Sequence, residues 1–229
     1  MKNDDLAQRY RAWRTRTLGA VTERLEMAAV LELLAPLEGK RVLDAGCGDG
    51  AYSLAATERG AFVTGVDVSA EMLAAAQARS AARGVKVDWR QGDVLALPFP
   101  DASFDLAIAI TVLCLVSDPQ RAVRELARVL VPGGRLVIGD LHRWSLWAMT
   151  RRMRGWAGNS FWRGARFWTA SALQDLLVDA NLRPDRVRGV AYYPPLGSLA
   201  RVLAPVDPLL ARLGTFGAAF LVVEGIKSA

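Results

Sequence analysis

With 229 residues, 52% of them hydrophobic and 23% charged, the chain has the size and composition of a folded α/β protein, and no apolar run reaches the roughly 18–20 residues of a membrane-spanning helix. Its formal charge of +6 would suggest a nucleic-acid partner, yet residues 141–168 hold six arginines and no acid or lysine, so the rest of the chain is neutral. Cys47 and Cys114, 67 positions apart, offer neither a metal spacing nor a disulfide framework, and Met1-Lys2-Asn3-Asp4-Asp5 has no secretory character; a reduced, cytoplasmic protein without a metal site is expected.

Residues 4–17 and 21–35 read as two N-terminal helices. A short strand, Lys40-Arg41-Val42-Leu43-Asp44, runs into a turn, Gly46 to Gly50, and then a helix near 50–59. The second strand covers 61–67, Ser69 can cap the following helix, and Val85-Lys86-Val87-Asp88-Trp89-Arg90 alternates as a third strand. After the breaker-rich loop 97–101, Phe104 to Thr111 is almost wholly apolar, as a parallel strand covered on both faces requires. Asp118-Pro119 opens a helix to about Leu130, and Pro132-Gly133-Gly134 leads into a fifth strand, Arg135 to Asp140. A helix at about 169–180, capped by Thr169 or Ser171, precedes two further strands near 183–193 and 216–225. This alternation predicts a doubly wound, mostly parallel α/β sheet, whose ligands bind beyond the carboxyl ends of the strands. One domain is expected, with residues 1–36 as a helical cap, 37–141 as the binding core, 142–168 as a basic, Trp-rich lid and 169–229 as the rest of the sheet.

A glycine loop after a first strand serves either dinucleotides or S-adenosylmethionine. Dinucleotides set a pyrophosphate on the helix N-terminus through G-x-G-x-x-G, whereas here Gly46, Gly48 and Gly50 give G-x-G-x-G with Asp44 just before and Asp49 within. Carboxylates repel a pyrophosphate and attract the ammonium and sulfonium of S-adenosylmethionine, so charge selects the latter. Asp67 ends the second strand, 23 residues after Asp44, where an acid accepts hydrogen bonds from ribose hydroxyls. Asp93 follows the third strand, placed for the adenine amino group, with Val68, Met72 and Val94 available to sandwich the purine. Each aspartate alone could be a cap or turn residue; three at consecutive strand ends favour a site.

The stretches VLDAGCGDG, TGVDVSAEML, GDVLALPFPDASFDLAIA and AVRELARVLVPGGRLVIGDL resemble the class I S-adenosylmethionine-dependent methyltransferases, in particular the type 11-like family of quinone-biosynthesis and small-molecule methyltransferases. The likeness implies a seven-stranded Rossmann-like fold with its last strand antiparallel, S-adenosyl-L-methionine as cofactor and S-adenosyl-L-homocysteine as product. It further implies that Asp44, Gly46, Cys47, Gly48 and Gly50 form the methionyl cradle, that Asp67 holds the ribose and Asp93 the adenine amino group, and that Thr111 lies beside the methionyl carboxylate or the methyl group. Tyr10, Trp13 and Thr17 resemble a motif that closes over the cofactor in some members, with Arg11 where the family often has Asp.

His142, the single histidine, follows the fifth strand and is the candidate general base for an acceptor that must lose a proton; Asp140 is a weaker one. Five of the seven tryptophans, among them Trp144 and Trp147, share residues 141–168 with the six arginines. On a helix, Leu146, Met149, Met153 and Trp156 would share one side. The segment reads as a lid over a small, hydrophobic or lipid-like methyl acceptor, with Tyr192 and Tyr193 as further candidates to face it and peripheral membrane contact as an added role. A covering helix with core tryptophans and solvated arginines is the structural alternative. RNA methylation and non-catalytic S-adenosylmethionine binding are the competing functions; the neutral remainder of the chain argues against nucleic acid. No oligomeric state is specified.

Overall fold

The computed structural model describes residues 12–228 (at 160 and 161, the backbone only). Its seven strands are β1 (Arg41–Ala45), β2 (Phe62–Asp67), β3 (Asp88–Gln91), β4 (Phe104–Ile110), β5 (Leu130–Leu141), β6 (Leu182–Val190) and β7 (Phe220–Lys227), in the order β3-β2-β1-β4-β5-β7-β6. β7 runs antiparallel to β5 and β6, and the other pairings are parallel, as the family resemblance implies. The order reverses between β1 and β4, so the crevice between their carboxyl ends is the switch point where such sheets bind ligands.

The period of two along each strand divides the core. Leu43, Ala107, Leu136 and Val223 face one side with Leu126 of α4 (Pro119–Val129) and Leu173 and Leu177 of α7 (Ala170–Asp179). Val42, Ile108, Val137 and Val222 face the other, under α1 (Thr17–Leu34), α2 (Ala51–Thr57) and α5 (Leu146–Trp156). The remaining longer helices are α3 (Ala70–Arg83) and α8 (Gly197–Leu203), with the short α6 (Ser160–Gly164) and α9 (Asp207–Leu210). Ser69 and Thr169 cap α3 and α7 through their hydroxyls, accepting from the N–H groups of Met72 and Ala172.

Several strand boundaries differ from the sequence reading: β6 ends at Val190 rather than 193 and β7 starts at Phe220 rather than 216. β3 starts at Asp88, because Val85 N–H bonds to Ser80 O in the C-terminal turn of α3, where Gly84 takes the left-handed conformation. β5 reaches back to Leu130 through Pro132-Gly133-Gly134, at a register shift against β4. The second N-terminal helix begins at Thr17, not 21, and the first lies mostly outside the described residues.

α1 ends against a buried charge cluster. Glu224 of β7, 1% exposed, accepts from Arg135 at 3.0 Å and Arg186 at 2.5 Å. Arg135 also donates to Leu33 O and Leu34 O, both at 2.8 Å, and Arg186 to Leu33 O at 2.9 Å. These carbonyls belong to the last helical turn and have no partner within the helix. Among the described residues no helix is long and apolar enough to cross a membrane.

Candidate cofactor and acceptor site

The glycine loop folds back over β2. Gly46 N–H and Cys47 N–H both donate to Val66 O, at 2.7 and 2.9 Å. Gly46 adopts φ +72°, and a Cβ there would stand 2.4 Å from Val112 Cγ2, so only glycine lets the loop lie against the segment after β4. Gly48, at φ +54°, has open space where a Cβ would stand, and its N–H donates to Asp67 Oδ2 at 2.8 Å. Ser69 N–H donates to Asp67 Oδ1 at 2.9 Å. Asp67 therefore ties the loop after β1 to the turn after β2, at the crevice.

The other two aspartates of the loop are held differently. Asp44 is 2% exposed and accepts from Ser53 Oγ at 2.6 Å; burial, only partly opposed by that bond, pushes its carboxyl up to about 7. Asp49 pairs with Arg14 and, at 2.8 Å, with Arg79, and Arg14 reaches Glu23 of α1 at 2.7 Å. Two guanidinium groups thus offset the Asp49 charge, and the negative potential of the loop comes from Asp44 and Asp67. Sequence reading missed Arg14, Arg79 and Ser53: arginines 35 and 30 positions from their partner leave no signature in spacing.

The residues expected around an adenine lie along the ends of β2 and β3. Val68 is exposed, Met72 half-buried and Val94 buried in the core, while Asp93 Oδ1 accepts Leu95 N–H at 2.9 Å within its own turn. At the end of β4, Thr111 sits at φ +58° with its N–H on Gly139 O at 2.7 Å. A β-branched residue in that region is strained, and such strain concentrates at functional sites. Of the expected lid motif, Tyr10 lies outside the described residues; Trp13 packs at Gly19, and exposed Thr17 accepts from Arg201 of α8 at 3.4 Å. Within that segment Arg14 pairs with Asp49 of the loop.

Across the crevice, Asp140 near the end of β5 and His142 just after it are both buried. Asp140 accepts from Cys114 N–H at 2.9 Å and Leu141 N–H at 2.7 Å, which commits it to holding the segment after β4, and burial raises its carboxyl to about 7. His142 Nδ1 lies 2.9 Å from Ala218 O, and a carbonyl can only accept, so Nδ1 carries the proton and Nε2 the lone pair. Burial also lowers the imidazole pKa, which keeps the ring in this base-competent neutral form.

The Trp-rich segment leaves the sheet at Arg143 and returns beside its own start. Arg166 N–H bonds to Cys114 O at 2.9 Å, Trp168 N–H to Leu141 O at 2.8 Å and Arg143 N–H to Trp168 O at 2.7 Å. Trp147 is buried, its Nε1–H donating to Tyr193 O at 2.8 Å, and Arg151 lies over both Trp147 and Trp162, 4.9 Å from each ring. Thr22 spends its hydroxyl proton on Leu18 O, so the buried Tyr193 hydroxyl, 2.9 Å away, is the donor between them. Tyr192 donates to Gly214 O, and Trp144 is exposed under Arg143. The polar atoms of Trp147, Tyr192 and Tyr193 are therefore engaged within the protein. Trp168, which spacing did not single out, has a buried Nε1–H without a hydrogen-bond partner among the described residues, and it lines an open recess of about 490 Å³ with Ser117, Asp118, Gln120 and Arg166. No cluster of metal-ligating side chains occurs among the described residues.

Comparison with known proteins fits this geometry. A methyltransferase-domain family matches residues 43–138. The ubiquinone biosynthesis O-methyltransferase of Ralstonia nicotianae is 35% identical over 178 residues, 74% of this chain and 74% of the relative. The demethylmenaquinone methyltransferase of Thermus thermophilus is 45% identical over 101 residues, 43% of this chain and 46% of the relative. A crystal structure of an S-adenosylmethionine-dependent methyltransferase from Thermotoga maritima, described as a possible histamine N-methyltransferase, superposes with a TM-score of 0.75 at 24% identity, covering 99% of this chain and 98% of that one, a likeness of fold.

Proposed function

From the premise that the chain belongs to the class I S-adenosylmethionine-dependent methyltransferases, we propose that it methylates a small, hydrophobic or lipid-like acceptor held under the aromatic lid, beyond the ends of β4 and β5. One observation supports this reading above the others: residues 166–168 return onto Cys114 O and Leu141 O, at the carboxyl ends of β4 and β5, next to the crevice between β1 and β4. The printed names of two relatives, tied to ubiquinone biosynthesis and to demethylmenaquinone, support an apolar acceptor. Peripheral membrane contact through residues 141–168 belongs to the same reading.

The donor set suits S-adenosylmethionine. Open space at Gly48, an acid buried beside the loop and the strand-end carboxylate of Asp67 make a cradle for a cationic nucleoside. In the proposed assignment Asp44, Gly46, Cys47, Gly48 and Gly50 take the methionyl part and Asp67 the ribose. Val68, Met72 and Val94 flank the adenine, Asp93 takes its amino group and Thr111 borders the methyl end. Bound, the cofactor supplies a methyl group on a sulfonium, open to in-line displacement by a nucleophile. The chain's own part is to align the acceptor and keep water out. In this reading Trp168, which edges the open recess, supplies the apolar wall, and its buried, unpartnered Nε1–H meets an acceptor oxygen once the side chain turns toward the recess. For a hydroxyl acceptor, His142 Nε2 is the group that takes the proton.

Turnover with methyl-labelled S-adenosylmethionine tests the reading. Label is expected in organic-extractable hydroxylated or quinol-type aromatic acceptors; label found in RNA alone would overturn it. A second expectation concerns pH. With the Asp44 carboxyl near 7, the cofactor ammonium meets a largely neutral acid at pH 6 and an ionised one at pH 8. S-adenosylmethionine affinity should therefore rise with pH, by about tenfold between those values if binding needs the carboxylate. Calorimetry should show proton release near neutrality, and Asp44→Asn should flatten the profile. An affinity flat with pH in the parent protein would remove Asp44 from the ammonium site.

A further inference from the structure

Two surface segments away from the glycine loop share one chemistry. On α5, Leu146, Met149, Met153 and Trp156 all face solvent, Trp156 at 82% exposure, while Trp147 and Ala148 take the buried side. Along residues 196–216, Val202, Leu213 and Phe216 are 71%, 85% and 84% exposed. The segments meet: Gly217 N–H donates to Trp144 O at 3.0 Å, which brings Phe216 beside the entry to α5.

Their charge is one-sided. Residues 141–168 contain no acid, and the sole acid of residues 194–217, Asp207, is buried with its oxygens on Ala191 N–H and Tyr192 N–H. Around the apolar band stand Arg143, Arg154, Arg201 and Arg212, all exposed and, among the described residues, outside any ion pair. Trp156 and Phe216 can stack on bases, but Leu146, Met149, Met153, Val202 and Leu213, the aliphatic majority of the band, have no π-face, which favours acyl chains over RNA. A second copy docked across a two-fold axis would set these arginines against their own kind. An acid-free apolar face rimmed with arginine complements an anionic bilayer.

We propose that this two-segment face seats the protein on an anionic lipid bilayer, with Trp156, Leu213 and Phe216 in the acyl boundary and the arginines at the headgroup phosphates. The inference rests on the apolar-acceptor reading, since a bilayer is where such an acceptor resides. It extends the lid to residues 196–216, which lie between the last two strands.

Sedimentation of the full chain with phosphatidylcholine vesicles, with and without phosphatidylglycerol, tests it. Binding is expected to the anionic vesicles at physiological ionic strength, about tenfold or more weaker to the neutral ones. The double variant Leu213→Ser/Phe216→Ser, and separately Trp156→Ser, should each lower partitioning about tenfold while the thermal midpoint stays put. Equal binding to both vesicle types, or variants that bind like the parent, would overturn the proposal. So would a dimer that the double variant dissolves, or salt-resistant RNA binding that displaces the vesicles. Turnover on a detergent-dispersed apolar acceptor without vesicle binding defeats the docking face alone. Vesicle binding with no turnover on any apolar acceptor leaves docking standing and defeats the acceptor reading.

Discussion

Asp67→Ala is expected to abolish measurable S-adenosylmethionine binding. The carboxylate accepts Gly48 N–H at 2.8 Å and Ser69 N–H at 2.9 Å, so it fixes the loop after β1 against the turn after β2. In the proposed complex its remaining lone pairs receive the ribose hydroxyls. Removing it costs both the pre-set loop and those bonds. Hydrogen bonds to a charged group contribute about 1.5–3 kcal/mol each, so two lost bonds weaken binding by roughly a hundredfold or more. Asp67→Asn keeps the shape but turns an N–H donor toward Gly48 or Ser69, and should fall between. Calorimetry reads the affinity and a thermal melt confirms the fold; parent-like affinity in a folded Asp67→Ala protein would refute the ribose assignment.

Glu224→Ala should produce the largest loss of stability. The side chain is 1% exposed and anchors Arg135 and Arg186, whose other N–H groups hold the carbonyls at the end of α1. Without the carboxylate, two guanidinium groups are left close together and under-paired. Breaking a buried pair costs about 3–5 kcal/mol, and because the Arg186 side chain is 43% exposed the loss should fall at the lower end, about 3 kcal/mol. For a chain of this size the thermal midpoint should fall by roughly 10 °C. Glu224→Gln, which still accepts one bond, should lose less. A midpoint within about 2 °C of the parent would show that the cluster is not what holds α1 to the sheet.

The turn and strand ends that make up the candidate cofactor site were legible in the sequence because their signals are local. A glycine turn after an apolar strand, and an acid at the end of the next, are fixed by backbone geometry within a few residues. What was not legible depends on which surfaces meet. Helical spacing placed Leu146, Met149, Met153 and Trp156 on one face, but not which face of α5 is covered; the structure buries Trp147 and Ala148 and leaves those four outside. Asp49 read as part of an acidic loop because nothing nearby announces Arg14 and Arg79. Glu224 sits in an otherwise apolar strand, with partners 89 and 38 positions away, and no motif marks it. The Val85–Arg90 alternation hid the cap at Gly84, since a period of two cannot tell a strand from the turn feeding it.

The paired backbone at residues 141–143 and 166–168 has a consequence for how such an enzyme changes over evolutionary time. The chain leaves the sheet and comes back at adjacent points, so everything between is an excursion whose ends are already tied. Doubling the length of such an excursion costs only about 0.6 kcal/mol in closure entropy. Insertions or deletions after α5, clear of the buried Trp147 and Ala148, can therefore be absorbed without moving β4, β5 or the glycine loop. If the proposed lid reading holds, exchanging the outer part of this excursion between relatives should move acceptor choice while leaving the methyl-donor half in place.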